Sequence, residues 1–146
     1  KSKHINQIGE LIHGDLGVEV LVEFSHASKL SDLDLRDSNL TDRSAIAIAN
    51  SEGFKGLFSL NLSGNRITDI GAKALAGSKN FGQLKILNLN FNVIGDLGAR
   101  AIAKSIHLTN LKSLKLGQNR VGEIGAKALK SSNTLVNLTH PIFGFY

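Results

Sequence analysis

The chain has 146 residues, a formal net charge of +5 and no cysteine, which excludes disulfides, thiolate metal sites and a cysteine nucleophile. No apolar run reaches the roughly 20 residues that a membrane-spanning helix requires, and no charged-then-apolar signal segment follows Lys1. We therefore predict an intracellular, cytoplasmic protein without a membrane partner.

Residues 1–29 are predicted to form a helical N-terminal cap over the first strand. The apolar residues near the start recur at helical spacing, at Ile5, Ile8, Leu11 and Ile12. This spacing predicts a short helix over residues 4–13. A second helix is predicted over 15–27, because the sequence Gly-Asp-Leu-Gly at 14–17 returns at 95–98, at the start of a predicted helix.

Four units of 27 residues follow the cap, at 30–56, 57–83, 84–110 and 111–137. Each opens with Leu-x-x-Leu-x-Leu, continues through a polar turn and closes with an Ala-rich stretch. A truncated unit, 138–146, begins a fifth strand that Pro141 limits to a sheet edge, because proline has no N–H to donate. Self-similarity at a fixed period predicts a solenoid in which each unit packs against its neighbours.

The unit that begins at Leu57 shows how one repeat folds. Leu60 and Leu62 alternate with Asn61, which predicts a short strand with leucine on its buried face and asparagine on its exposed face. After the strand, Asn65 stands where a side-chain amide can hydrogen-bond the unpaired backbone groups of a turn. The equivalent residues of the next two repeats are Asn92 and Asn119.

An Ala-rich helix is predicted in the second half of each unit, with Thr41 and Thr68 as suitable N-caps. The next position is acidic and would meet the positive end of the helix dipole. These acidic residues are Asp15, Asp42, Asp69, Asp96 and Glu123. We prefer this interpretation to a calcium site, because no further oxygen ligands stand at a coordination spacing.

A basic residue follows three of these acids by four positions, which is the favourable spacing for an ion pair on one helix. The predicted pairs are Asp69–Lys73, Asp96–Arg100 and Glu123–Lys127. We therefore interpret the basic row as a helix surface that is neutralised locally. The alternative is a stripe that binds phosphate groups.

Parallel strands joined by helices coil into a right-handed solenoid, because the helix layer is thicker than the strand layer. We predict one α/β domain over residues 1–146, shaped as a short horseshoe arc. Its parallel β-strands line the concave side and its α-helices cover the convex side.

The phrase LxxLxLxxNxIxxxGAxxLA resembles the leucine-rich repeat family and, within it, the ribonuclease-inhibitor-like subtype. The resemblance extends from Leu30 to about Asn137 and implies a scaffold for protein interactions. Such scaffolds occur in inhibitor proteins, Ran GTPase-activating proteins, nucleotide-binding immune receptors and effectors of intracellular bacteria. The many Asn, Lys and Ile residues indicate an AT-rich genome, so a bacterial effector secreted into a host cell is one interpretation.

Specificity is expected from the exposed side of the strands, where residues differ from repeat to repeat. Charge changes there from acidic at the first strand to basic at the fourth, with Phe58, Ile86 and Phe91 between. Exposed aromatic anchors flanked by charge are typical of protein interfaces. The predicted partner-binding residues of the concave face are Asp32, Asp34, Phe58, Asn61, Lys85, Ile86, Asn88, Asn90, Phe91, Lys112 and Lys115.

We predict a non-enzymatic module that binds a protein partner. The alternative is a regulatory or substrate-recognition domain of a larger enzyme, such as a GTPase activator or a ubiquitin ligase, whose catalytic part lies outside this chain. We expect no cofactor, metal or small-molecule substrate, because the five histidines show no ligand spacing and all loops have the same length. Nucleic acid is not expected, because aromatic residues that could stack on bases are few.

Overall fold

The computed structural model describes residues 3–5, 13–24 and 29–143, with backbone alone for 3–5. The strands of this part of the chain are β1 (Lys3–Ile5), β2 (Leu30–Asp34), β3 (Ser59–Asn61), β4 (Ile86–Asn88) and β5 (Ser113–Lys115). Its α-helices are α1 (Gly14–Phe24), α2 (Asp42–Ala49), α3 (Asp69–Ala76), α4 (Asp96–Ala103) and α5 (Glu123–Lys130). Within the described ranges, none of these helices is long and apolar enough to cross a bilayer.

The strands lie parallel in one sheet, in the order β1-β2-β3-β4-β5. Their register aligns equivalent leucines of β2 to β5 in one row, formed by Leu33, Leu60, Leu87 and Leu114. Parallel neighbours need a crossover connection, which the α-helices of successive repeats provide. The predicted α/β solenoid, with strands on the concave side and helices on the convex side, is confirmed.

The core fills the space between the sheet and the helices. Leu60 and Leu62 on the strand side are fully buried, as are Ile67, Ala72 and Leu75 on the helix side. Small residues let the helices approach each other closely. A Cβ atom added to Gly98 would lie 2.7 Å from both Asp69 Oδ1 and Ile94 Cγ2, and the equivalent positions Gly71 and Gly125 are equally tight. This column of glycines is therefore required by packing.

The N-terminal strand corrects the first two residues of the helix that we predicted over 4–13. Lys3–Ile5 forms β1, which pairs in parallel with β2. The pairing uses backbone groups, which the spacing of the apolar residues does not report, and the edge of β2 needs partners for its own N–H and C=O groups. The second predicted helix agrees with α1, while residues 6–12 and 25–28 lie outside the described ranges.

The chain beyond α5 follows β5, and residues 138–143 do not form the strand that we predicted from Leu138. The Thr139 N–H donates to the Lys112 carbonyl at 2.9 Å, and the Leu116 N–H donates to the Ile142 carbonyl at 3.0 Å. Pro141 lies between these bonds and has no N–H to add to the ladder. The result is a segment with bends that keeps the register of the repeats.

The turn after each strand is organised by one asparagine, as predicted. The amide oxygen of Asn92 accepts the N–H of Ile67, in the preceding repeat, at 2.9 Å. Its Nδ2 donates to the carbonyl of Leu62, also in the preceding repeat, at 3.0 Å, and to that of Leu89 at 3.2 Å. Asn65 and Asn119 make equivalent bonds. The asparagines therefore join neighbouring repeats as well as closing their own turns.

The acidic column also joins neighbours, by capping the next helix in the chain. Asp69 Oδ1 accepts the N–H groups of Gly95 and Gly98 at 2.8 Å each. Asp42 accepts both the N–H of Thr68, at 2.8 Å, and its hydroxyl, at 2.6 Å. Because the first N–H groups of a helix have no partner within that helix, each carboxylate satisfies donors that its neighbour leaves free.

These bonds correct the intrahelical ion pairs that we predicted. The carboxylates of Asp69 and Asp96 are directed at the next helix and not at the base four residues along their own helix. In the described part of the chain, the ion pairs are Arg43–Glu19 at 2.6 Å, Arg36–Asp34 at 3.4 Å and Lys55–Glu52 at 3.9 Å. The exposed bases Lys73, Arg100 and Lys127 therefore lack the acidic partners that we assigned to them.

Asp15 begins this column and has a lowered pKa. Burial raises the pKa of its carboxyl group, but hydrogen bonds from Ser44 and Thr41, with the nearby charge of Arg43, outweigh burial and hold the pKa below its ordinary value. The carboxylate form is therefore favoured in the folded chain.

A serine column completes the contacts between repeats at the other end of the helices. Ser105 Oγ donates to the carbonyl of Ala76, and Ser132 Oγ to that of Ala103, each at 2.6 Å. The last carbonyls of a helix lack intrahelical partners, so each serine satisfies an acceptor of the preceding repeat.

Candidate functional site

The concave face of the sheet brings Phe58 and Ile86 together. Phe58 immediately precedes β3, Ile86 opens β4, and the Phe58 carbonyl accepts the Ile86 N–H at 3.1 Å. The Phe58 side chain is 48% exposed, and Ile86 is partly exposed. The structure places the backbones of these two residues next to each other, with Ile86 paired to Ser59, the residue that follows Phe58. One partner could contact both.

Phe91 lies in the turn after β4 and has an unfavourable backbone conformation. Its φ is +56°, and its side chain is 58% exposed. The same turn position holds Gly64 in the preceding repeat, with a φ of +68°. Residues other than glycine pay about 1–2 kcal/mol in this left-handed region. Asp37 and Gln118 adopt the same conformation at the equivalent positions, with φ of +53° and +55°, so it is a property of the repeat turn. What distinguishes Phe91 is a large apolar side chain that the interior does not use.

The pair Phe58 and Ile86 lies at one end of β4, and Phe91 lies beyond the other end. Ile86 opens the strand, whereas Phe91 follows its last residue, Asn88, by three positions. At about 3.3 Å per residue, five residues extend at most about 16 Å. The concave face therefore offers two separate contact points with polar residues between them.

Charge changes sign across the sheet. One row of paired strand residues runs through Asp34, Asn61, Asn88 and Lys115. Neighbouring strands are about 4.8 Å apart, so roughly 14 Å separates the acidic end from the basic end. Asp32 adds to the acidic end, and Lys85 and Lys112 add to the basic side. The face is therefore electrically polarised along the direction of the repeats.

Three of the predicted site residues also end their strands. Asn61 Oδ1 accepts the N–H of Ser63 at 3.0 Å and its hydroxyl at 2.7 Å. Asn88 and Asp34 accept the N–H two residues ahead in the same way. Asp and Asn commonly form such turns, so their position two residues before the bend was a signal that we did not use.

Asn90 is a correction to the predicted site. It is only 8% exposed, and its Oδ1 accepts the N–H of Gly117 at 2.7 Å in the next repeat. We placed it on the exposed side because it lies in the turn just beyond β4. Its side chain is instead directed at the next repeat, so Asn90 joins two repeats and does not face a partner.

Within the described ranges, no group of three or more His, Cys, Asp or Glu residues is arranged to hold a metal ion. The candidate site therefore consists of apolar and charged side chains on a regular surface. Its geometry suits contact with another macromolecule.

Comparison with protein families accounts for the repeats. A family model described as "Leucine Rich repeat" matches residues 26–49, 57–76, 84–103 and 107–130. These segments make up more than half of the chain. The chain belongs to the leucine-rich repeat family. Modules of this family typically serve as scaffolds for protein interactions, and their curvature gives an extended concave surface.

Solved structures share the fold. The Leiomodin-1 Actin-Binding Site 2 (ABS2) structure has a TM-score of 0.60 and 22% identity, covering 85% of this chain and 77% of its own. An internalin (inlF) from Listeria monocytogenes has a TM-score of 0.47 and 24% identity, covering 98% of this chain but only 39% of its own. Comparison with curated proteins gave no match. At these identities, the likeness concerns the fold alone.

Proposed function

We propose that the chain is a non-enzymatic module that binds a partner protein through its concave strand face. Phe58, Ile86 and Phe91, here called the concave anchors, contact the partner directly. The surrounding charged residues are Asp32, Asp34, Lys85, Lys112 and Lys115. Asn61 and Asn88 lie between the anchors and retain their roles in the turns.

Phe91 is the observation that carries this proposal. A glycine would fit its backbone at lower cost, as Gly64 does in the preceding repeat. The left-handed turn recurs at Asp37 and Gln118, so the support lies in the exposed phenyl ring, which adds nothing to the core and is available to a partner. Aromatic residues surrounded by polar ones provide much of the binding energy at protein interfaces.

The charge gradient specifies the partner further. Its surface should be basic where it meets Asp32 and Asp34, and acidic where it meets Lys85, Lys112 and Lys115. Such complementarity raises association rates and sets the orientation of binding. The association rate should therefore fall as salt concentration rises.

The test replaces the three concave anchors together by serine and compares partner recovery with that of the unaltered chain. We expect at least one partner, identified by mass spectrometry and then purified, to bind at least about thirtyfold more weakly, since an anchor typically contributes about 2 kcal/mol. Folding should be almost unchanged, because all three side chains are exposed or partly exposed.

The matched control replaces Lys73, Arg100 and Lys127 on the convex helices by serine. This variant should retain every partner that requires the concave anchors. If all recovered partners survive the concave substitutions and are lost with the convex ones, the proposed concave site is wrong.

We further infer that the chain is of the ribonuclease-inhibitor-like subtype. The support is that each of α2 to α5 is a full α-helix of eight residues. An intracellular, cytoplasmic location and an origin as a bacterial effector stay predictions from the sequence.

A further inference from the structure

The convex surface carries a row of exposed aliphatic side chains at the start of three helices. Ile70, Leu97 and Ile124 are the second residues of α3, α4 and α5, and they are 65%, 69% and 65% exposed. One exposed aliphatic side chain is ordinary. Three at the same position of adjacent packed helices form a continuous apolar row, which is typical of an interaction surface.

A second row of basic side chains runs beside the first. Lys73, Arg100 and Lys127 follow the aliphatic residues by three positions, so they lie on the same face of each helix. All three are exposed. Lys73 and Arg100 also keep their charge available, because the carboxylates of Asp69 and Asp96 are bonded to the next helix. Lys127 makes no ion pair with another described residue.

Small residues fill the surface next to both rows. Ala74, Ala101 and Ala128 follow the aliphatic residues by four positions and are partly exposed. Four residues make about one helical turn, so each alanine lies beside its aliphatic neighbour. A partner can therefore approach the helices closely along the apolar row.

The spacing of the rows matches an α-helix that crosses the three helices. Packed helices lie about 8–10 Å apart. Seven residues of an α-helix rise about 10.5 Å. A partner helix with an apolar residue at every seventh position would therefore place one on each of Ile70, Leu97 and Ile124. Acidic residues three or four positions away would face the basic row.

The pattern stops at α2, which limits the length of the surface. Arg43 occupies the aliphatic position there and pairs with Glu19 at 2.6 Å, while Ile46 occupies the basic position. The surface therefore covers α3 to α5 and extends about 16–20 Å between the outer helix axes. A partner segment of about 14–21 residues would be long enough to cover it.

We propose that the convex face of α3 to α5, here called the convex strip, binds an acidic amphipathic helix of a partner protein. The apolar and basic rows provide the anchors and the charge complementarity of this site. The regular spacing favours a helix over an anionic membrane surface, because lipids require no fixed repeat. This site is independent of the concave anchors.

The experiment uses a fluorescent synthetic peptide of about 21 residues, with Leu at every seventh position and Glu beside each Leu. Fluorescence anisotropy should show saturable binding to the unaltered chain. A peptide of the same composition with the Leu spacing disrupted should bind at least about tenfold more weakly. Equal binding of the two peptides would show that spacing is irrelevant and would overturn the proposal.

Two variants test the two rows separately. Replacing Ile70, Leu97 and Ile124 by Ser should reduce peptide affinity at least about tenfold. Replacing Lys73, Arg100 and Lys127 by Glu should do the same, and a peptide with Lys in place of Glu should restore binding to this variant. Circular dichroism should show both variants folded, because these side chains are exposed. Failure of the charge-swapped pair to restore binding would contradict the assigned complementarity.

The variant that lacks the concave anchors is the matched control and should bind the peptide like the unaltered chain. Vesicles containing phosphatidylserine provide the final comparison. If the chain sediments with these vesicles through the convex strip, and the peptide does not bind, the strip is a membrane-binding surface and the proposed helical partner is wrong.

Discussion

Residues at the junctions between repeats are similar from one repeat to the next, whereas residues on the concave surface differ. Between repeats, similar residues recur at the junctions, with asparagine in the turn, an acidic residue at the start of the helix and serine after it. On the concave face, equivalent positions differ, as in the row that runs from Asp34 to Lys115. The first arrangement stabilises the array, and the second leaves each strand free to specify contacts.

This division follows from the energetics of repeat proteins. Each unit contacts its neighbours and no distant part of the array, so stability depends on a few residues that satisfy each junction. The concave side chains take no part in most of these bonds. The comparison predicts that substitutions will have large effects in the interior and small or even favourable effects on the concave surface.

Leu87→Ala should have the largest effect. Leu87 is fully buried in β4, between Leu60 and Leu114. Removing its side chain should lower the free energy of unfolding by about 2–5 kcal/mol. Lys73→Ala on the exposed helix surface should cost less than about 0.5 kcal/mol. Urea denaturation of the two variants measures the difference, and equal stability would contradict the assignment of buried and exposed columns.

Asn92→Ala should have the next largest effect. It would leave the Ile67 N–H and the carbonyls that Asn92 joins without their partner, at a cost of about 1–3 kcal/mol. The matched control is Asn110→Ala, since the Asn110 side chain makes one exposed bond to the Gly82 carbonyl. Chemical denaturation should show a clear loss for the first variant only. A similar loss of stability in both variants would mean that burial does not determine the cost of removing these hydrogen bonds.

Phe91→Gly should have a smaller effect, with the opposite sign. Glycine removes the cost of the left-handed conformation but also adds conformational entropy to the unfolded chain. The net effect should stabilise the fold by about 0.5–1 kcal/mol. Gln118→Gly, at the same turn position with a φ of +55°, is the control. Thermal melts should show both variants stabilised, whereas only the Phe91 variant should lose binding to the concave partner. Destabilisation by Phe91→Gly would show that the ring supports the fold.

Asp15→Asn should have the smallest effect, confined to the junction of α1 and α2. The pKa of Asp15 is lowered in the folded chain. Its contribution to stability is therefore present above the ordinary carboxyl pKa and is lost as pH falls through the folded value. The stability difference between the two chains should shrink as pH falls from neutral to below the folded pKa of Asp15. Paired denaturation curves that keep a constant difference would exclude this titration.

The sequence predicted those features that depend on one position at a time. The leucine columns, the turn asparagines and the threonine caps each follow from a residue type in a local pattern, and the structure agrees with them. The strand Lys3–Ile5 was missed because its pairing depends on the exposed backbone edge of β2. No side-chain pattern reports such an edge.

Features that depend on two repeats at once were harder to predict. Asp69 has a base four residues later on its own helix and two N–H groups on the next helix, and the sequence showed only the first option. The N–H groups at the start of the next helix, which have no partner within that helix, provide the stronger contact. A charge-assisted hydrogen bond contributes more to stability than an exposed ion pair. The same limitation placed Asn90 on the surface, and the strain at Phe91 was invisible without backbone angles.

The aspartate contacts all point one way along the chain, from each helix to the one that follows. An internal unit such as 84–110 therefore carries N–H donors for the aspartate of the preceding unit and an aspartate that accepts from the following unit. A tandem copy of that segment would meet compatible residues on both sides, and it would add one strand of new concave surface. In-frame duplication of 27 codons is thus a route by which a gene of this kind can lengthen without redesigning its existing junctions.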